Sequence, residues 1–261
     1  MMIGNQKLPA ADQIALIADI HGNSWALDAV LSDIAWRGVR HVVNLGDSVY
    51  GSLDPRGTAE RLIAAGIPCV CGNQDRDVFA PTERERASDD HRFVIGELAT
   101  AHVEWLRGQP ASLEIGEVLC CHGTPRSDEI YLLERVGPHG VALRGSDDIL
   151  ALLGGAQQRV IACAHSHVPR TAWLPTGQLV VNPGSVGIPA YDEDAPYPHV
   201  MEAGSPHARY AILTRSAAGW SVEQIALAYR WDLPAAAALA RGRPDRAEWI
   251  ATGRARLPAK G

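Results

Sequence analysis

Ile14-Ala15-Leu16-Ile17-Ala18-Asp19-Ile20-His21-Gly22-Asn23-Ser24 opens as five consecutive apolar residues and closes on a carboxylate, an imidazole and a glycine. An unbroken apolar run of this length, with no polar alternation, reads as a strand covered on both faces. Beyond it, Leu27, Val30, Leu31 and Ile34 recur at helical spacing. Asn23 or Ser24 is placed to cap that helix and Gly38 to stop it. Strand, polar turn and helix in succession predict an α/β fold, with Asp19 and His21 delivered at a strand end.

The arrangement repeats along the chain. Val39–Leu45 runs into Gly46-Asp47, Ile67–Cys71 into Gly72-Asn73, Val118–Cys121 into His122-Gly123, and Val160–Ala164 into His165-Ser166-His167. Leu179–Val181 is a further strand, while Tyr210–Thr214 and Trp220–Leu227 alternate more and suit antiparallel additions. Thr58–Ala65 reads as a short helix ending at Gly66, Glu83–Arg107 as a helix in two pieces, and Ser146 as the start of a helix stopping at Gly154-Gly155. Pro189–Pro206 lacks periodicity and reads as a long loop, either a solvated excursion or a lid. Asp232 and Pro234 fit the start of an Ala- and Arg-rich helix that Gly242-Arg243-Pro244 interrupts. The expected organisation is one domain over residues 1–230 with a helical tail, 231–261, docked on it.

The 261 residues are 46% hydrophobic and carry a net charge of −6, which suits a full-sized core and argues against bulk nucleic-acid binding. No apolar run approaches the ~20 residues of a membrane span, and no basic-then-apolar signal opens the chain. A cytoplasmic protein with no membrane partner is therefore expected. Five cysteines with no C-x-x-C pair argue against a disulfide framework or a zinc ribbon.

Asp19, His21, Asp47, Asn73, His122, His165 and His167 all fall at the ends of predicted elements. In extended chain, residues i and i+2 point the same way, so Asp19 with His21, and His165 with His167, can each offer two groups to one centre. Imidazole, carboxylate and amide donors suit Mn, Fe, Co, Ni or Zn. Singly, each of these residues also fits a turn or a hydrogen-bonded surface position. The other histidines lack such context, although His139 and His199 are weak candidates for substrate contacts.

The ordered set Asp-x-His, Gly-Asp, Gly-Asn-x-Asp, His-Gly and His-x-His, with Asn182-Pro183-Gly184-Ser185-Val186-Gly187 after it, resembles the calcineurin-like metallophosphoesterase superfamily, in particular its small bacterial phosphodiesterase-like branch. The resemblance runs from about Ile14 to Leu227. It implies a four-layer α/β/β/α sandwich of two mixed sheets with a dinuclear metal site at strand ends. One divalent ion would take Asp19, His21, Asp47 and His167, and the other Asp47, Asn73, His122 and His165, with Asp47 shared and Mn favoured.

On that resemblance the expected reaction is hydrolysis of a phosphodiester by a metal-bridging hydroxide. Asp47 and Asn73 lie at the reacting centre and Asp75 orients its neighbours. Gln74 stands where many family members have a histidine that assists the leaving group. An amide cannot deliver a proton at ordinary pH, so activated diesters and other substrates with good leaving groups fit better. The alternatives are a phosphomonoesterase, a dinucleoside-polyphosphate hydrolase and a non-catalytic metal-binding scaffold. Gln74, Tyr50, Arg76 and Tyr191, with Arg56 and Arg126, adjoin the motifs and are candidate contacts for a small phosphoester or nucleotide. Asn182–Gly187 suits a turn, and also a row of backbone N–H groups facing an anion. Whether the chain forms a homo-oligomer is open.

Overall fold

A computed structural model describes residues 4–257. The strands are β1 (Gln6–Leu8), β2 (Gln13–Ile17), β3 (His41–Asn44), β4 (Ser112–Ile115), β5 (Val118–Cys121), β6 (Glu134–Gly137), β7 (Gly140–Leu143), β8 (Val160–Ala162), β9 (Arg170–Trp173), β10 (Leu179–Asn182), β11 (Ala190–Glu193), β12 (His199–Glu202), β13 (Ala208–Ser216) and β14 (Gly219–Leu227). The helices are α1 (Ser24–Trp36), α2 (Pro55–Ala64), α3 (Asn73–Phe79), α4 (Glu83–Arg86), α5 (Asp89–Glu97), α6 (Thr100–Arg107), α7 (Ser146–Leu153), α8 (Asp232–Ala240) and α9 (Pro244–Thr252).

Two mixed sheets carry the fold. One is ordered β14-β13-β2-β3, with β2 and β3 parallel and the other pairs antiparallel. The second is ordered β1-β4-β5-β8-β10-β9, with β5, β8 and β10 mutually parallel. The unbroken apolar runs have a simple cause in the pleat, which sends alternate side chains to opposite faces. Ile14 and Leu16 of β2 meet Val118, Cys120, Val160 and Leu179 of the other sheet in a shared core. Ala15 and Ile17 face outward onto Leu27, Val30 and Ile34 of α1. On the far side Leu119 and Ile161 pack on Ile149 and Leu153 of α7. Helix, sheet, sheet and helix thus form the four layers expected from the sequence.

Three local expectations are corrected. Ile67–Cys71 makes only a single parallel bridge, Cys69 to Asn44, because Pro68 has no N–H to extend a ladder. Glu83–Arg107 folds as three helices, since Ser88 breaks the run by accepting from the His91 N–H and Leu98 turns to extended backbone. Pro189–Pro206 is no structureless loop: it holds the antiparallel hairpin β11–β12, paired from Ala190↔Glu202 to Glu193↔His199. α8 and α9 pack Ala235, Ala238, Ala247 and Ile250 against Leu53 and Ile188. All five cysteines are buried thiols. Among the described residues no helix is long and apolar enough to cross a membrane.

Candidate metal centre

The C-terminal ends of β2 and β3 from one sheet and of β5 and β8 from the other open onto the same rim. Each releases a short loop there: Asp19 and His21 after β2, Asp47 after β3, His122 after β5, and His165 and His167 after β8. Asn73 is the first residue of α3. The loops lock onto one another through backbone hydrogen bonds, Asp19 N to Gly46 O, His21 N to Asp47 O and Gly22 N to Ser48 O, each 3.0 Å.

Among the described residues, the non-glycine positions with positive φ are Asp19, His21, Asp47, His165 and His167. All five were singled out from the sequence. The left-handed region is costly for side chains carrying a Cβ, and such strain gathers where a site requires it. The turned backbone aims these side chains at two clusters. Donor atoms of Asp19, His21 and His167 lie within 4.8 Å of one another, and so do those of Asp47, His122 and His165. Asp47 stands between them, its Oδ2 3.4 Å from His122 Nε2 and 4.0 Å from His21 Nε2.

The imidazoles are oriented from behind. His21 Nδ1 donates to Tyr50 O (3.0 Å), His122 Nδ1 to Leu45 O (2.9 Å) and His167 Nδ1 to Ile188 O (2.6 Å). A carbonyl only accepts, so these contacts place a proton on Nδ1 and turn Nε2 toward the cluster. His165 is reversed: its Nε2 donates to Glu129 O at 3.1 Å, leaving Nδ1 as the donor to an ion.

This geometry fits a pair of cations. His21 Nε2 and His167 Nε2 face each other at 3.0 Å, and two lone pairs so placed repel unless a positive charge lies between them. That charge is not a proton at neutral pH, because burial pushes His21 down to about 4 and His167 well below the ordinary histidine range. Burial likewise brings His165 down to about 3. Both carboxylate oxygens of the fully buried Asp19 lack a hydrogen-bond partner, and burial drives its pKa well up. An uncompensated buried carboxylate is costly unless a metal or another charge answers it. At the second cluster, burial opposes ionisation of both Asp47 and His122. Their mutual attraction overrides it, holding Asp47 below the carboxylate range and raising His122 to about 10. His122 Nε2 also lies 3.0 Å from Asn73 Oδ1.

Asp75 acts through other groups. Its carboxylate accepts from Ser48 N (2.8 Å) and Gly72 N (3.2 Å), tying the Asp47 loop to the start of α3. Asp47 Oδ1 accepts from Gln74 N at 2.9 Å. A Cβ on Gly72 would overlap Asp47 Oδ1, so only glycine permits this approach.

The clusters form the floor of a cleft of about 470 Å³. Gln74 and Tyr191 line it as anticipated, and Tyr131, which reasoning from the sequence missed, lines it beside them. Tyr131 Oη meets Tyr191 Oη at 2.7 Å, and its ring lies over His165 with centroids 4.6 Å apart. The other four candidate contacts are engaged elsewhere. Tyr50 is buried with its hydroxyl on Ser88, and serves His21 through its carbonyl. Arg76 is spent on Asp128 and Glu129. Arg56 and Arg126 donate to Glu97 O and Gly154 O. His199 is buried with its Nε2 3.4 Å from Tyr131 Oη.

Asn182–Gly187 braces the site, and most of its N–H groups are committed within the protein. Gly184 N donates to Asn182 Oδ1, Val186 N to Ala18 O, Gly187 N to Asp19 O and Ile188 N to Ser185 Oγ. From the tail, Arg243, Arg246 and Trp249 line the cleft. Nothing in its Ala- and Arg-rich composition marks which arginines turn inward.

Residues 13–202 match the family model of the calcineurin-like phosphoesterase superfamily domain. A curated relative, the uncharacterized protein MJ0912 of Methanocaldococcus jannaschii, is 29% identical over 203 residues, covering 67% of this chain and 76% of that one. A metallophosphoesterase from Sphaerobacter thermophilus superposes with a TM-score of 0.71 at 23% identity, over 93% of this chain and all of the other. The hypothetical protein PH1004 from Pyrococcus horikoshii OT3 gives 0.64 at 17%, over 95% of this chain and all of that one. By the family match, across most of its length, the chain belongs to the calcineurin-like phosphoesterase superfamily.

Proposed function

We propose that this protein is a dinuclear-metal phosphodiesterase. The observation that carries the reading is the pair of donor clusters, Asp19, His21 and His167, all buried, beside the buried Asp47 and His122 and the partly buried His165. In this reading Asp47 is shared between two ions and Asn73 completes the second set. Two divalent ions, when bound, supply Lewis acidity and a water acidic enough to act near neutral pH. The donor set suits a borderline transition metal, and manganese is the favoured ion.

The chain's own residues then divide the work. The Nδ1–H bonds of His21, His122 and His167 and the Nε2–H bond of His165 hold four imidazoles at fixed angles before any substrate arrives. Asn73, at the N-terminus of α3, is placed to donate its amide N–H to a phosphoryl oxygen, where a helix start favours negative charge. Asp75 fixes Asn73 and Asp47 relative to each other. Gln74 borders the cleft with amide donors and no acidic proton, so a leaving oxygen that is stable as an anion is preferred. This favours activated diesters and phosphoanhydrides over simple alkyl esters. The buried thiols suit a reducing cytoplasm.

The test is hydrolysis of bis(p-nitrophenyl) phosphate and p-nitrophenyl phosphate by protein stripped of metal and then supplied with Mn²⁺. Manganese-dependent cleavage with the diester preferred is expected. Asp47→Asn should lower kcat/KM by more than the roughly 10–100-fold typical of residues that only support a ligand. A preference for the monoester overturns the diester assignment, and hydrolysis indifferent to chelation overturns the metal assignment.

A further inference from the structure

The family match stops at residue 202, but the cleft does not. Arg243, the residue before α9, and Arg246 and Trp249 on it recur at three-residue spacing, and all three border the cleft. At this spacing they share one face of the helix.

Arg246 is the unusual member. It is only 7% exposed, in a position where an arginine is rarely kept without a specific partner. Its Nη2 donates to Asp90 Oδ2 at 2.9 Å, while its Nε has no hydrogen-bond partner. Asp90 also accepts from Arg243, which is itself held by Asp245 at 2.6 Å. Two carboxylates, Asp90 and Asp245, thus hold the two guanidinium groups, and Arg246 Nε alone is left without a partner.

The guanidinium of Arg246 reaches toward the metal-ligand loops. A Cβ on Gly51 would lie 2.7 Å from Arg246 Nη1 and 2.8 Å from His21 O. Glycine at 51 therefore leaves the arginine room beside the His21 loop. Arg246 borders the same cleft as His21, Asp47 and Asn73. The phosphoryl group under attack belongs over the clusters, and the cleft continues past them to α9.

We propose that Arg246, held by Asp90 and Arg243, binds a second phosphoryl group of the substrate, next to the one that is cleaved. The substrate class is then a phosphoester or phosphoanhydride with at least two phosphoryl groups, and the C-terminal helices are its recognition wall. A planar, permanently charged fork suits a phosphate oxygen in a partly desolvated site better than an ammonium does. The inference rests on the phosphoesterase reading of the metal centre.

The experiment compares binding of inorganic pyrophosphate and orthophosphate to the Mn-loaded full chain by calorimetry, for the wild type, Arg246→Met and Arg246→Lys. Melting temperature and metal stoichiometry are measured alongside. Kinetics on bis(p-nitrophenyl) phosphate, which has a single phosphoryl group, are taken in parallel. Arg246→Met should weaken pyrophosphate at least tenfold, leave orthophosphate within about twofold and keep two metals bound. Arg246→Lys, which retains the charge and most of the packing, should show a smaller loss in the same direction and supplies the result if the methionine variant does not fold. Equal losses for both anions, or none for pyrophosphate, overturn the proposal. A wild type that binds pyrophosphate more tightly than orthophosphate but cleaves no ester would instead fault the hydrolase reading, and the Arg246 result would still stand.

Discussion

At the residue scale, the site is built by putting side chains where backbone and electrostatics resist them. Asp19, His21, Asp47, His165 and His167 all take left-handed backbone, and Asp19 keeps a carboxylate with no hydrogen-bond partner in full burial. These costs make sense together if a cation answers them. Gln74 is the residue that narrows the chemistry. Its backbone N–H holds Asp47 Oδ1, a task any residue other than proline performs, so its side chain is free to be replaced. Gln74→His restores a group able to give a proton to a departing alkoxide or phenoxide. General acid catalysis is worth about 10²–10⁴-fold when fully expressed, and a grafted histidine should realise a fraction of that. The expected outcome is a rise of about tenfold in kcat/KM for phenyl phosphate, a poor leaving group, with little change for p-nitrophenyl phosphate. The plot of rate against leaving-group pKa should flatten. An unchanged slope would show that glutamine is not what limits the leaving group.

At the element scale, much was legible because strands covered on both faces leave an unmistakable apolar run. Those runs located β2, β3, β5, β8 and β10, and the polar residues at their ends located the metal-ligand candidates. What escaped were elements whose formation depends on distant partners. β11 and β12 are short and polar, and pair chiefly with each other. α3 begins at Asn73, inside a motif read only for its chemistry. Asn182–Gly187 was legible as a motif, but its brace was not, since its partners Ala18, Asp19 and Asn23 lie about 160 residues away in sequence. Gly187 is the critical contact. Its carbonyl accepts from Asn23 Nδ2 at 2.9 Å, and a Cβ there would overlap Ile20 O. Gly187→Ala must therefore push the β2 loop away, displacing Asp19 and His21. Overpacking a tight contact costs about 1–3 kcal/mol, equivalent to roughly 2–12 °C in melting temperature for a chain of this size. Metal content should fall with it. A variant with normal stability and two tightly bound metals would remove the bracing role.

At the scale of the whole molecule, two sheets with different partners meet at one rim, and neither supplies a complete site. Asp19, His21 and Asp47 follow strands of one sheet, and His122, His165 and His167 follow strands of the other. Ions bound there cross-link the layers and stabilise only the folded chain, by about 2.7 kcal/mol per site at a hundredfold excess over Kd. Chelation should thus lower the melting temperature by about 5–10 °C per site, and adding back two equivalents of Mn²⁺ should restore it. Stability also depends on pH away from the metals. His91 in α5 is 7% exposed, its Nδ1 has no hydrogen-bond partner, and burial, aided by Arg86, pulls its pKa below the usual histidine value. Below about pH 6.5 the unfolded chain takes a proton at this position that the folded chain refuses. The unfolded state is then favoured by up to ~1.4 kcal/mol per pH unit, until pH falls past the folded-state pKa. Above about pH 7.5 the contribution is flat. His91→Gln removes this titration whatever its effect on packing. The difference in unfolding free energy between the wild type and the variant, from urea titrations at pH 5 to 8, should be constant above pH 7.5. Below pH 6.5 it should shift steadily in favour of the variant. A difference that stays constant throughout would mean that His91 titrates alike in both states.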